Sequence, residues 1–293
     1  MRPLYAVLGA QLLVAVVFVV LVATGSLPFV NDDGGNARAR TGRFDGPAAF
    51  QLVRMQLSYG PRPAGSAPSR RLAEKLRTLL PNGRFQPVPG GLRNVVGSVP
   101  GRDPSRTVVV GAHYDTKDLP GFLGANDGAG GTAAAVQLAR QLEPRTIGPT
   151  VQFVLFDGEE SPKGVPDSQF LTHGLRGSKV AASRFKHAEA MILLDFVADK
   201  DLSLPREGTS DPALWERLRA AAVKAGVAGY FPNAAGTGIE DDHTPFLRRR
   251  VPSIDLIDWD FPCYHKTCDN LSAVSERSLD ASGEAVAGLL STL

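Results

Sequence analysis

Residues 107–112 (Thr-Val-Val-Val-Gly-Ala) and 151–156 (Val-Gln-Phe-Val-Leu-Phe) are almost uninterrupted apolar runs. A strand with one wet face alternates in polarity, whereas a run like these must be covered on both faces. Short β-branched runs at 94–99, 107–112, 151–156, 191–196 and 252–258 predict strands. Longer segments with helical periodicity at 47–59, 69–80, 130–142, 211–224 and 278–290 predict helices between them. This alternation predicts an α/β fold: a three-layer sandwich with a mainly parallel central β-sheet flanked by helices. The composition does not change along the chain, and no internal repeat appears, so a single domain is expected over 46–293.

Composition narrows the function. At 43% hydrophobic and 21% charged residues, the chain is neither a disordered nor a collagen-like sequence. Thirty-two basic against 30 acidic side chains give a net charge of +2 with no block of one sign. That balance offers no electrostatic footprint for nucleic acid. Among 31 glycines, neither the dinucleotide-binding nor the phosphate-loop spacing occurs, so no nucleotide is expected.

From Leu4 to Ala23 the sequence is apolar apart from Gly9, Gln11 and the hydroxyl of Tyr5. Twenty residues at about 1.5 Å each span a hydrocarbon core of roughly 30 Å. Residues 1–24 therefore read as an N-terminal transmembrane anchor, with a cleaved signal segment as the alternative. The Gly-, Asn- and charge-rich stretch 25–45 reads as a flexible tether. Either reading sends the main domain outside the cytoplasm, membrane-anchored or secreted. Cys263 and Cys268 enclose a short loop that could close as a disulfide in an oxidising compartment, and no second pair exists for a structural zinc site.

The polar residues of interest sit where the predicted strands end. His113 and Asp115 follow one strand, Glu159 and Glu160 another, Asp195 a third, and His265 lies in the loop after the last. In open α/β sheets ligands bind outside the carboxyl ends of strands. Asp127 adds a carboxylate within Gly124-Ala-Asn-Asp-Gly-Ala-Gly-Gly131, just before a predicted helix. Imidazoles and carboxylates without thiolates suit catalytic zinc with an open water position. The candidate ligands are His113, Asp127, Glu160, Asp195 and His265, leaving Glu159 as a free carboxylate to shuttle protons. The residues alone support a zinc-dependent hydrolase or transferase.

Several motifs then carry a resemblance. Gly111-Ala-His-Tyr-Asp-Thr-Lys117, Pro120-Gly-Phe-Leu-Gly-Ala-Asn-Asp127, Phe156-Asp-Gly-Glu-Glu160, Leu193-Leu-Asp195 and Tyr264-His-Lys-Thr-Cys-Asp269 resemble the zinc exopeptidase superfamily of co-catalytic aminopeptidases. Pro61-Arg-Pro-Ala-Gly-Ser66, the 117–127 stretch and Glu240-Asp-Asp-His-Thr-Pro-Phe-Leu-Arg-Arg249 are most similar to animal-type glutaminyl-peptide cyclotransferases.

The resemblance implies roles. Asp127, Glu160 and His265 match the ligands of a single cyclase zinc. His113 and Asp195 match positions that complete a second zinc in the aminopeptidases, where Asp127 bridges the ions. Glu159 matches the general acid/base, Asp241 a residue hydrogen-bonded near the substrate, and Phe261 and Tyr264 aromatic pocket walls. A cis peptide after Asp127 is also implied. The sequence departs from the cyclotransferases in having Tyr264 for a tryptophan, no tryptophan between Glu160 and Gly177, Glu240 for an amide, and Ala112 for a cysteine.

The expectation is an extracytoplasmic enzyme acting on peptide or protein N-termini with one zinc, cyclising N-terminal glutamine to pyroglutamate. Aminopeptidase hydrolysis with two zinc ions is the second reading, and a catalytically dead binding module on the same scaffold the third.

Overall fold

Side chains at alternate positions of the central strands enter two separate apolar clusters. Val108, Val110 and Ala112 face one cluster with Val151, Phe153, Leu155, Ile192 and Leu194. Val109 faces the other with Val154, Phe156, Met191 and Leu193. Both faces of the sheet are therefore dry, which is why these strands lack polar alternation.

The computed structural model describes residues 41–293. The anchor read at 1–24, and the tether up to residue 40, lie outside them. In chain order the elements that build the domain are α1 (Gly46–Leu57), α2 (Ala67–Leu79), β1 (Arg84–Val88), β2 (Leu92–Val99), β3 (Asp103–His113), α3 (Ala129–Gln141), β4 (Pro149–Phe156), α4 (Phe170–His173), α5 (Arg176–Arg184), β5 (Ala190–Leu194), α6 (Pro212–Ala225), α7 (Thr244–Leu247), β6 (Ser253–Leu256) and α8 (Glu276–Leu290). The six strands form one sheet in the order β1-β2-β4-β3-β5-β6. β4, β3, β5 and β6 run parallel, while β2 and β1 are added antiparallel. Helices α1, α2, α3, α6 and α8 contribute to the larger cluster, and α5 and α7 to the smaller. The result is the expected sandwich.

Capping chemistry starts the longer helices. Asp45, Ser66, Asp211 and Ser275 each accept a backbone N–H three residues on. Four elements escaped the sequence reading: β1, α5 and the one-turn helices α4 and α7. β1 is an edge strand with exposed Arg84 and Pro87, and proline is tolerated at an edge because no ladder donor is needed there. The buried face of α5 is Gly177, Ser178, Ala181 and Ala182, small residues that carry little hydrophobic periodicity.

The packed domain begins before residue 46. Phe44 is 5% exposed in the larger core, its backbone N–H donates to Glu284, and Thr41 also bonds Glu284. The last residues read as tether are thus part of the fold. Among the described residues no helix is long and apolar enough to cross a membrane.

Helix α3 is buried along almost its whole length and presses its first turn onto β5. A Cβ on Gly131 would stand 1.9 Å from the Leu194 carbonyl oxygen. Gly131→Ala should therefore destabilise by about 1–3 kcal/mol, although alanine is the better helix former at open positions. Denaturant midpoints of the two proteins check the sign.

Candidate metal centre

The four parallel strands deliver their carboxyl ends to one edge of the sheet. His113 is the last residue of β3, Asp195 follows β5 directly, Glu159 and Glu160 follow β4, and His265 lies beyond β6. Asp127 stands in the β3–α3 connection and joins two triads. His113 Nε2 lies 3.3 Å from Asp127 Oδ1 and 3.4 Å from Asp195 Oδ1. His265 Nε2 lies 3.4 Å from Asp127 Oδ2 and 3.2 Å from Glu160 Oε1. In each triad the ligand atoms fall within 4.8 Å of one another, close enough to share an ion. All five sequence candidates are brought together.

The peptide after Asp127 is trans, since the described residues contain no cis peptide. Gly128 turns the chain instead, at φ 89°, and a Cβ there would lie 2.7 Å from the Asp115 carbonyl oxygen. Glycine is required by both the left-handed backbone and the close approach.

Two buried carboxylates organise the ligand loops. Asp115 accepts the N–H groups of Glu159 (3.2 Å) and Glu160 (3.3 Å). Asp269 accepts those of Asn126 (2.8 Å) and Asp127 (3.1 Å). Asn126 Oδ1 in turn accepts from Ala198 N at 2.8 Å, tying in the loop after β5. Below them Arg62 is fully buried and donates to the carbonyls of Gly60, Leu123 and Gly124. The sequence reading contained Asp115, Asp269 and Arg62 within motifs but gave them no such duty. Two successive N–H groups on one carboxylate are invisible until the loops meet.

The ligand edge opens into a cavity of about 520 Å³. Glu159, Asp195, Asp241, Glu240 and Tyr264 line it, as expected, together with Lys117, Phe196 and Trp259, which had no assigned role. Lys117 Nζ is 3.2 Å from Glu160 Oε2, so Glu160 turns one oxygen to this cation and the other to His265. Tyr264 stacks on His265 with ring centroids 3.9 Å apart. Phe261 corrects the sequence reading: it is 4% exposed and packs behind Phe196 at 5.8 Å, supporting the wall without lining it. Cys263 and Cys268 are joined as a disulfide, closing the loop that carries His265.

The family model for peptidase family M28 matches residues 94–290, a span containing every candidate ligand. The chain belongs to peptidase family M28. It is 30% identical over 204 residues to a glutaminyl-peptide cyclotransferase of Drosophila melanogaster, covering 60% of this chain. The chain spans 58% of that relative's length. Among solved structures, it is similar to Porphyromonas gingivalis glutaminyl cyclase, with a TM-score of 0.74 and 28% identity over 85% of this chain and 99% of the other. A leucine aminopeptidase precursor from Bacteroides thetaiotaomicron is equally similar, at 0.75 and 26%, covering 87% and 99%.

The donor set of this M28 chain fits a metal ion on its own chemistry. His113 Nδ1 donates to the Asp115 carbonyl at 3.1 Å, which leaves the Nε2 lone pair for an ion that Asp127 and Asp195 could share. Asp127 Oδ2 and Glu160 Oε1 are buried and make no hydrogen bond. Burial and the neighbouring Glu160 push the Asp127 carboxyl up to about 7, against the pull of His113. Burial, then Glu160, Asp241 and Asp242, raise Glu159 well above the ordinary carboxylate range. Arg62 is brought down to about 10 by its burial, with Asp269, Asp127 and Asp115 opposing. The site holds more buried acid than its cations balance, a deficit that a divalent ion would fill.

Asp269→Ala removes both acceptors that orient the Asp127 loop without touching a ligand atom. Divalent-metal affinity should fall about 10–100-fold, read by chelator competition, with the domain still folded by circular dichroism.

Proposed function

We propose that this M28 chain is a zinc-dependent glutaminyl-peptide cyclotransferase, converting the N-terminal glutamine of peptides or proteins to pyroglutamate with release of ammonia. The observation that carries the reading is the cavity floor. Glu159, Asp195 and Asp241 face the same space beside Asp127 and Glu160, and Asp241 belongs to the segment most similar to the cyclotransferases.

Asp127, Glu160 and His265 would hold the zinc, with His113 and Asp195 as partners on the other oxygen of Asp127. When bound, zinc supplies a Lewis acid that polarises the side-chain amide carbonyl. Glu159 takes a proton from the α-amine as its nitrogen bonds to the side-chain amide carbon. The C–N bond of that amide breaks, and Glu159 returns the proton to the departing ammonia. No water is consumed. Asp195 and Asp241 are placed to accept hydrogen bonds from the α-amine and hold it near the amide. The extracytoplasmic location read from residues 1–24 belongs to the same proposal, and the Cys263–Cys268 disulfide is consistent with it.

A second reading, aminopeptidase hydrolysis, is favoured by one observation: His113 and Asp195 already converge on Asp127 Oδ1, a ready second metal position. Mass spectrometry of Gln-initiated and Leu-initiated peptides separates the two, since one loses ammonia and the other its first residue. Glu159→Gln should retain zinc while turnover falls by about 10²–10⁴-fold. Zinc retention together with wild-type turnover would remove Glu159 from the chemistry.

The expected metal content is one tightly held zinc per chain. Elemental analysis after dialysis at defined free zinc measures it. Two equivalents, with activity tracking the second, would put hydrolysis first.

A further inference from the structure

Three rings step outward from the metal ligands. Tyr264 lies flat on His265, with centroids 3.9 Å apart and planes 22° from parallel. Trp259 leans on Tyr264 at 5.1 Å and 53°. Phe196 meets Tyr264 edge-on at 5.8 Å, so Tyr264 is held on several sides. Trp259 lines the same cavity yet is 43% exposed. The other tryptophan, Trp215, is 1% exposed in the core against Phe231. A large indole left exposed at the rim of a reactive cavity marks a contact surface for a ligand.

We propose that Trp259 forms the subsite for the second residue of the peptide substrate and selects large apolar or aromatic side chains there. This rests on the reading that the chain acts on peptide N-termini. The first residue must lie beside Glu159 and the ligand cluster, against Tyr264. The next Cα is about 3.8 Å further along the peptide, the same scale as the step from Tyr264 to Trp259. An aromatic side chain at that position covers the open indole. Among the described residues lining the cavity, the one lysine or arginine is Lys117, and it is already engaged by Glu160 and Asp167. Asp167 and Glu240 line the cavity themselves and repel an acidic side chain.

The test uses the zinc-loaded enzyme with two series of dipeptide amides, Gln-Xaa and Leu-Xaa, where Xaa is Phe, Gly or Asp. In whichever series reacts, kcat/KM for Phe should exceed that for Gly by about tenfold, the scale of burying one ring against another, and Asp should be poorest. The preference should reside in KM. Trp259→Ala should bring the Phe-to-Gly ratio near one, and Trp259→Phe should restore most of it. Binding is read separately in the Glu159→Gln protein, where Gln-Phe-amide or Leu-Phe-amide should shift tryptophan emission saturably. The shift should vanish when Trp259→Phe is added, since Trp215 is buried. A reaction in either series with a wild-type ratio near one, or a Phe preference that survives Trp259→Ala, overturns this proposal alone. Turnover in neither series overturns the proposed function, and the emission titration then decides the Trp259 subsite: no saturable shift with either peptide overturns it.

Discussion

Two side-chain carboxylates hold the ligand loops in register. Asp115 and Asp269 each accept two successive backbone N–H groups, one pair from Glu159 and Glu160, the other from Asn126 and Asp127. A carboxylate bonded in this way pins the peptide and therefore the direction in which the next side chain leaves it. Hydrogen bonds to an ionised acceptor are stronger than neutral ones. Metal geometry tolerates little error in donor position, so the centre depends on these bonds as much as on the ligands themselves.

The arrangement has an electrostatic cost. Burial disfavours the charged forms of Asp127 and Asp269. Arg62 from below and Lys117 from the side offset part of this, each close to carboxylates named above. The remaining deficit explains why Asp127 is pushed up to about 7 in the protein alone. A bound cation reverses that logic and stabilises the charged carboxylates. Metal binding would thus be coupled to the folding of these loops through the same buried charges.

The two solved relatives described above, a glutaminyl cyclase and a leucine aminopeptidase precursor, match this fold about equally well. Likeness of fold does not separate the proposed cyclisation from the second reading, hydrolysis, because both attack a carbonyl near a free amine. What separates the chemistries must lie in the cavity walls. In this chain Tyr264 stacks on His265, Trp259 stands beyond it, and Phe261 packs behind Phe196.

The central strands and most helices were legible in the sequence because their signals are local. Apolar runs at 107–112 and 151–156 need no knowledge of partners to declare themselves buried on both sides. The five ligand candidates were legible too, as polar residues at strand ends. β1 and α5 were not, since Pro87 and the small residues 177, 178, 181 and 182 erase the usual periodicity. Residue types and their order along the chain were therefore determined by sequence alone. Tertiary structure decided which oxygen of Asp127 faces which histidine, that Asp269 orients a loop 142 residues earlier, and that Phe261 sits behind the wall. Such contacts arise between segments far apart in sequence, and no local pattern encodes the direction from which a distant side chain arrives.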